Sequence, residues 1–485
     1  MKACVVNPPW EIANRTGIRA GCRFPNLTYK NTNRYIPFPY LVGYTAAYLE
    51  SQGVEVIAID GCAERCSVDA FCDLVARFEP DLLIAEVSTT SLAYDLEVLA
   101  RLRRAKPGLR IAVYGSHTDV RPEDALVATG ADYVIQGEPE LTSLELLRAV
   151  AAGGDAGGLA GVARLDAEGR VVAGPRRAPV ADIDALPYPK RDAFPMETYH
   201  VPGFPHPVAY MYAGRGCSYK CSFCLWPQTT SPGNFRPRSG EAIVAEMAWV
   251  LERYPKTRSF FFDDDTFNLL GKPRMLAFAN EMNRRGMKIP WGCNARADHW
   301  DREVLSRLVE TGLFTLRLGI ESGDQRVLDR TGKGLHLTEA REMLKMSESL
   351  GIQNHIMFVI GLPGETKASV ENTIGFIKSV PCHSVQFSVA IPFPGTSFYR
   401  EAKEKGHLVT GDWSKYSGFD HVVVRTDELD AEQVGQALAR ARRSVYFSPR
   451  FIRRRVGYIR SMSDVSALAR KAFRLLGSSA FDRAS

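Results

Sequence analysis

The sequence predicts an α/β protein: a doubly wound parallel sheet, then a second βα domain of six strands forming a partial barrel, then a helical, basic extension. Two stretches of alternating strand and helix signals carry that reading, over residues 3–151 and 208–397. The third observation is compositional. The 485 residues are 45% apolar and 24% charged, which excludes a disordered chain. Mean hydropathy is −0.16, and no apolar run is long enough to span a bilayer. The N-terminus, Met1-Lys2-Ala3-Cys4-Val5-Val6-Asn7-Pro8-Pro9, reads as a strand ending in a turn rather than a signal peptide, so the expected compartment is the cytoplasm.

In the first region, apolar runs predict strands at 3–7, 54–60, 81–87, 111–114 and 133–136. Helical spacing predicts helices at 40–52, 68–78, 92–104, 122–129 and 141–151. Ser88-Thr89-Thr90-Ser91 is suited to cap the third helix. Such sheets bind ligands at the carboxyl ends of their strands, where loops 7–10, 86–91 and 115–119 lie. Residues 152–200 are richer in Gly, Ala and then Pro, Arg and Asp, with a two-stranded excursion at 161–165 and 170–173. The second region predicts strands at 209–213, 259–262, 288–293, 315–320, 352–360 and 384–390 with helices between them. Chemistry in such a domain is expected at its C-terminal face. The expected domains are 1–155, a linker at 156–200, 201–410, and an extension at 411–485.

Net charge is +6, with 61 Lys/Arg against 55 Asp/Glu. Residues 440–485 hold twelve Lys/Arg and two Asp, so this tail carries +10 and the rest of the chain −4. A helix is expected at 430–447, and residues 447–460 mix aromatics with arginines. Such a stretch can lie at a lipid interface, or be a solvated charged face. Nothing in the chain resembles a nucleic-acid module, and no nucleic-acid partner is expected.

Ten cysteines in a cytosolic chain of this length do not make a disulfide scaffold. Seven are scattered; Cys62 and Cys66 lack a nearby third ligand, and Cys293 reads as a small buried residue. Three are packed together in Gly214-Arg215-Gly216-Cys217-Ser218-Tyr219-Lys220-Cys221-Ser222-Phe223-Cys224. Three thiolates on one loop suit a soft metal centre. Zinc would normally want a fourth ligand, which leaves a structural zinc site in a non-catalytic binding protein as the rival. Three ligands and a gap suit a [4Fe–4S] cluster with one open iron.

This CxxxCxxC motif after the first strand of a βα barrel resembles the radical S-adenosylmethionine (SAM) superfamily. The resemblance covers residues 205–410. It implies that Cys217, Cys221 and Cys224 hold the cluster and that the open iron binds SAM. Reductive cleavage of SAM would then give a 5′-deoxyadenosyl radical that takes hydrogen from an unactivated carbon. Phe223 would line the adenine pocket. The Asp263-Asp264-Asp265 set after the second strand would meet the SAM amino group, with a helix cap as the structural alternative. Arg296 could hold a carboxylate as a bidentate pair or simply pair with Asp298. Glu321, in Leu318-Gly319-Ile320-Glu321-Ser322-Gly323, would take the ribose hydroxyls. Ile360 and Gly361, in Ile360-Gly361-Leu362-Pro363-Gly364-Glu365-Thr366, would pass the adenine where a small residue permits close approach. Pro392-Phe393-Pro394-Gly395-Thr396 resembles a turn of B12-associated members.

A doubly wound, Rossmann-like domain ahead of such a barrel resembles the cobalamin-binding subclass. Candidate cobalamin contacts are Asn7, Pro8, Ser88, Thr89, Thr90, Ser91, Gly115, Ser116, His117, Gly137 and Glu138. Their hydroxyls and strand-end amides suit the phosphate and amides of the nucleotide tail. The Asp-x-His-x-x-Gly motif of methionine-synthase-type modules is absent, because His117 lacks the Asp two residues before it. No histidine ligand to cobalt is therefore expected. The resemblance implies an enzyme using [4Fe–4S], SAM and cobalamin, most simply to methylate an unactivated carbon of a lipid or secondary metabolite. Ring closure or rearrangement with the same cofactors is the alternative. An external one-electron reductant of flavodoxin or ferredoxin type, a small-molecule or lipid substrate, and peripheral membrane contact through the basic tail complete the expectation.

Overall fold

A computed structural model describes residues 1–12, 15–20, 23–29, 35–154, 156–233, 235–419 and 421–456. The first sheet has five parallel strands: β1 (Lys2–Asn7), β2 (Glu55–Asp60), β3 (Leu82–Glu86), β4 (Arg110–Tyr114) and β5 (Tyr133–Ile135). Their order is β2-β1-β3-β4-β5. The order reverses between β1 and β3, the topological switch point where doubly wound sheets take ligands. Alternate residues of β1 serve opposite faces, as a strand requires. Ala3 and Val5 pack with helices α1 (Tyr40–Ser51) and α5 (Pro139–Ala151). Cys4 and Val6 pack with α2 (Val68–Phe78), α3 (Leu92–Ala105) and α4 (Pro122–Thr129).

Two features differ from expectation. The excursion in the expected linker forms β6 (Val162–Leu165) and β7 (Val171–Ala173), which extend this sheet antiparallel beyond β5. The first sheet therefore continues past the boundary expected at 155, to residue 173. Covering β5 removes an open edge of unpaired backbone groups. Between β1 and α1, a small antiparallel sheet forms from Glu11–Ile12, Arg15–Ala20 and Arg23–Tyr29, which carried no expected element.

The second sheet holds β8 (Val208–Met211), β9 (Ser259–Phe262), β10 (Trp291–Ala295), β11 (Leu313–Glu321), β12 (Gln353–Ile360) and β13 (Ser384–Val389), paired in chain order and all parallel. Helices α6 (Gly240–Arg253), α7 (Gly271–Arg284), α8 (Arg302–Glu310), α9 (Gln325–Arg330), α10 (Leu337–Ser349) and α11 (Lys367–Ser379) lie between the strands in sequence, followed by α12 (Ser397–Glu404). Helix α13 (Ala431–Tyr446) packs on α11, β12 and β13. It covers the last two strands of the barrel, although it lies beyond the boundary expected at 410. Val434, Leu438, Ala441 and Val445 form its buried stripe, and Asp430 and Gln433 close a capping box at its start. Beyond it only α14 (Pro449–Val456) is described, and the expected tail segment after 456 lies outside the described residues.

The barrel strands also divide by face. Met211, Phe260, Phe262, Ile356, Phe358 and Phe387 join the core beneath the helices. On the inner face, Tyr210 and Phe261 are covered by Tyr199 and Phe204, from the segment that leads into β8. At the other side of the barrel, Arg317, His355, Met357, Gln386 and Ser388 are only half-buried.

Candidate functional site

The three clustered cysteines lie on one loop at the carboxyl end of β8. Gly214–Arg215 pairs antiparallel with Arg236–Pro237 and pinches the base of that loop. Asp264 Oδ1 accepts from Ala213 N and Gly214 N at 2.8 and 2.9 Å, fixing where the loop departs. Gln228 clasps the loop from within: its amide NH2 donates to the carbonyls of Cys221, Ser222 and Cys224, and its oxygen accepts from Ser397 N. This clasp engages backbone, leaving the thiols to a ligand. Sequence reading missed Gln228, a half-buried amide four residues after the third cysteine.

Cys221 is buried, and Cys217 and Cys224 are half-buried. Each of the latter two feels the charge of Cys221 and of Asp265, and burial pushes both thiols up. Among the described residues no three His, Cys, Asp or Glu side chains converge on a single-ion position. Three thiols held by their own loop, with the fourth side open, fit a cuboidal cluster by the chemistry of the donor set.

The Asp triplet separates into three environments. Asp263 accepts from Tyr35 OH at 2.8 Å and from Asn294 Nδ2 at 2.7 Å. Asp264 holds backbone. Asp265 is the member whose charge acts on Cys217 and Cys224.

Arg296 pairs with Asp298 through Nε at 2.9 Å and Nη2 at 2.5 Å, donates to the carbonyls of Lys333 and Gly334, and lies 3.5 Å above the Tyr219 ring. Its fork is filled by protein, the second of the two alternatives the sequence offered. Asp298, two residues away and itself buried, needs a counter-charge more than solvent does.

Glu321 has φ +72° and accepts from Lys333 Nζ at 3.0 Å. Glu321 raises the affinity of the buried Lys333 for its proton, and Lys333 also acts on Cys224. Lys333 was not foreseen; the glycines on both sides of it were the available signal. Phe223 and Val359 both pack against a cluster that holds Leu362 and Ala390, which brings Phe223 near the strand end at Ile360-Gly361. The Ile360 side chain points the other way, into the core beneath the helices. Gly361 has φ +95°, and a Cβ there would stand 3.2 Å from Val434 of α13.

The cobalamin candidates line the carboxyl edge of the first sheet. Asn7 donates to Asp60 at 2.7 Å and accepts from Arg19, which also donates to the carbonyl of Pro8 and pairs with Asp95. Ser91 does not cap α3. Its hydroxyl donates to Asp95 at 2.5 Å and lies 2.7 Å from Ser88 Oγ. Thr90 donates to the Tyr416 carbonyl at 2.9 Å, and Ser116 lies 3.1 Å from Thr230 Oγ1. Gly137 N–H donates to Asp119 at 2.7 Å, and Gly115 has φ +149°.

Two of the candidates have other duties. His117 engages Thr89 and Asp124 through its two ring nitrogens and packs edge-on against Trp413. Glu138 bonds Arg236 and Ser231 and lies 3.6 Å from Arg215, while Arg215 bonds Glu140 at 2.7 Å. Glu138 thus ties the first sheet to the base of the cysteine loop. The remaining edge, with Ser88, Thr89, Thr90, Ser116 and Thr230 beside Gly115 and Gly137, offers hydroxyls and close backbone approach. That donor set fits the amides and phosphate of a cobalamin.

The profile of the Radical SAM superfamily matches residues 211–377, and that of the B12 binding domain matches residues 32–147. An uncharacterised methyltransferase of Pyrococcus horikoshii is 29% identical over 416 residues, covering 85% of this chain and 89% of the relative. The anaerobic magnesium-protoporphyrin IX monomethyl ester cyclase of Rubrivivax gelatinosus is 25% identical over 399 residues, covering 81% of this chain and 70% of the cyclase. Among solved structures, the radical S-adenosylmethionine methyltransferase TsrM from Kitasatospora setae, with cobalamin and a [4Fe–4S] cluster bound, aligns with a TM-score of 0.69. The alignment has 17% identity and covers 93% of this chain and 90% of that one, a likeness of fold.

Proposed function

This chain belongs to the radical SAM enzymes that carry a B12-binding domain, and on that premise we propose that it methylates an unactivated carbon of a small molecule or lipid. The observation that carries the methyl-transfer reading is the relative named as a methyltransferase, which aligns over 85% of the chain. When bound, the cluster and SAM supply a hydrogen-abstracting radical, and the cobalamin supplies a methyl group.

The protein's own part is placement. Cys217, Cys221 and Cys224 hold the cluster at the mouth of the barrel. Asp265 and the Glu321–Lys333 pair flank it with charges suited to the ammonium, ribose and carboxylate of SAM. Phe223, packed against the cluster that holds Leu362, gives the adenine an apolar wall beside Gly361. The seam of hydroxyls from Ser88 to Ser116 holds the second cofactor against the barrel. An external reductant of flavodoxin or ferredoxin type supplies the electron. The proposed location is the cytoplasm, with contact to the membrane surface through the basic C-terminal region; no described helix is long and apolar enough to cross a membrane.

The test is product analysis of anaerobically reconstituted enzyme. Methyl transfer yields S-adenosylhomocysteine together with 5′-deoxyadenosine, and Cys221→Ala loses both. 5′-Deoxyadenosine with no S-adenosylhomocysteine would favour the second reading, a radical cyclisation, which the cyclase relative supports. SAM cleavage retained in Cys221→Ala would remove the cluster assignment.

A further inference from the structure

The inner face of the barrel carries a row of polar side chains that the reading above does not use. In register across β10, β11, β12 and β13 stand Asn294, Arg317, His355 and Ser384. Residues paired across parallel strands point to the same face, and this face is the one opposite the helices. Asp263, just past β9, extends the row through its bond from Asn294. His355 and Ser384 are joined at 2.7 Å.

Arg317 differs from its neighbours. Its guanidinium lies 5.3 Å from the centroids of both the Tyr35 and Phe261 rings. Ring contacts use the flat faces of the group and leave its five N–H edges available. No hydrogen bond or ion pair joins Arg317 to any described residue, whereas Arg215 and Arg296, which lie over rings near the cysteine loop, are filled by Glu140 and Asp298. The acid of the row, Asp263, already accepts from Tyr35 and Asn294. Arg317 is half-buried, so part of it stays accessible on this inner face.

From this geometry, and resting on the reading of the barrel as the substrate chamber, we infer that Arg317 binds a carboxylate or phosphate of the substrate. A planar fork on an aromatic floor matches either anion in a bidentate pair. Asn294, His355 and Ser384 supply flanking polar groups at the same level. The next level up holds Met357 opposite Gln386, then Val359 opposite Ser388, a mixed wall leading to Phe223. Arg317 lies four residues before the end of β11, on the order of 10 Å below the carboxyl edge at the rise of a strand. The substrate is therefore an anion with an apolar body of about that length, its charged end on the barrel floor and its reacting carbon toward the cysteine loop.

The experiment is isothermal titration of the reconstituted full chain with succinate and, separately, inorganic phosphate, which distinguishes the two anion classes. Saturable binding of one of them is expected. Arg317→Gln should weaken it by at least about tenfold, roughly 1.4 kcal/mol. Arg317→Lys, which keeps the charge without the fork, should fall between the two and guards against a folding defect. Binding of neither anion, or equal binding by Arg317→Gln, overturns the inference. Formation of 5′-deoxyadenosine by the unaltered enzyme reports separately on the radical reading, so failure of one does not imitate failure of the other.

Discussion

Glu365 shows what a single buried carboxyl does at the end of a barrel strand. It accepts from Gly361 N–H at 2.5 Å through one oxygen, while its other oxygen has no hydrogen-bond partner among the described residues. Burial pushes its carboxyl up to about 8 from 4.5. In the unfolded chain the proton leaves near 4.5; in the folded chain it stays until about 8. Between these values the folded state binds more protons, so stability falls as pH rises, by up to about 1.4 kcal/mol per pH unit. Below the window both states are protonated and the residue is neutral in effect. Glu365→Gln keeps an acceptor for Gly361 and removes the titration. Its melting temperature should therefore fall less than that of the unaltered protein between pH 5 and 8. Parallel curves for the two proteins would contradict the assignment.

At the scale of elements, close packing decides more than propensity. Gly240 opens α6 against α7, and a Cβ there would stand 2.4 Å from the backbone nitrogen of Phe278. A backbone atom cannot swing aside as a side chain can. Gly240→Ala should destabilise the barrel by about 1–3 kcal/mol, seen as a lower midpoint in denaturant with an unchanged slope.

Most helices and strands were legible, because both sheets are buried and their apolar runs stop at glycines and prolines. The cysteine loop was legible because three soft ligands at short spacing have few other uses. The errors have physical causes. The hairpin of β6 and β7 reads as linker because short half-exposed strands carry little hydrophobic pattern. Helix α13 reads as an appendage because residues 390–430 separate it from β13, although its stripe of Val434, Leu438 and Ala441 is a barrel-helix stripe. The roles of Arg296, Glu138 and His117 were not decided by sequence, because a polar side chain at a strand end looks the same whether its partner is a cofactor or another side chain. Lys333 and Gln228 escaped because their partners are distant in sequence or are backbone.

For the whole molecule, charge is divided by position. The excess of cations lies in residues 440–485, and its described portion already uses part of that charge internally: Arg440 bonds Glu371, and Arg454 lies 2.9 Å from Glu348. Arg443 and Arg453 make no ion pair with a described residue, and they stand near Phe447 and Ile452, which are 38% and 46% exposed. Exposed apolar groups among free cations favour an anionic lipid surface. The full chain should sediment with phosphatidylglycerol vesicles, not with phosphatidylcholine vesicles, and Arg443→Glu/Arg453→Glu should lose most of that binding. Equal sedimentation with both lipids, or no loss in the double variant, would remove membrane contact from the proposal.

The tie between Glu138, Glu140, Arg215 and Arg236 has a consequence for how such a protein can change over generations. Arg215 stands two residues before the first cluster cysteine, yet its buried charge is answered by carboxylates from the other domain. A recombination that exchanged one domain alone would strand charges in an apolar seam, a defect costing several kcal/mol. Grafting a foreign B12-binding domain onto this barrel would succeed only if it brought carboxylates to match Arg215 and Arg236.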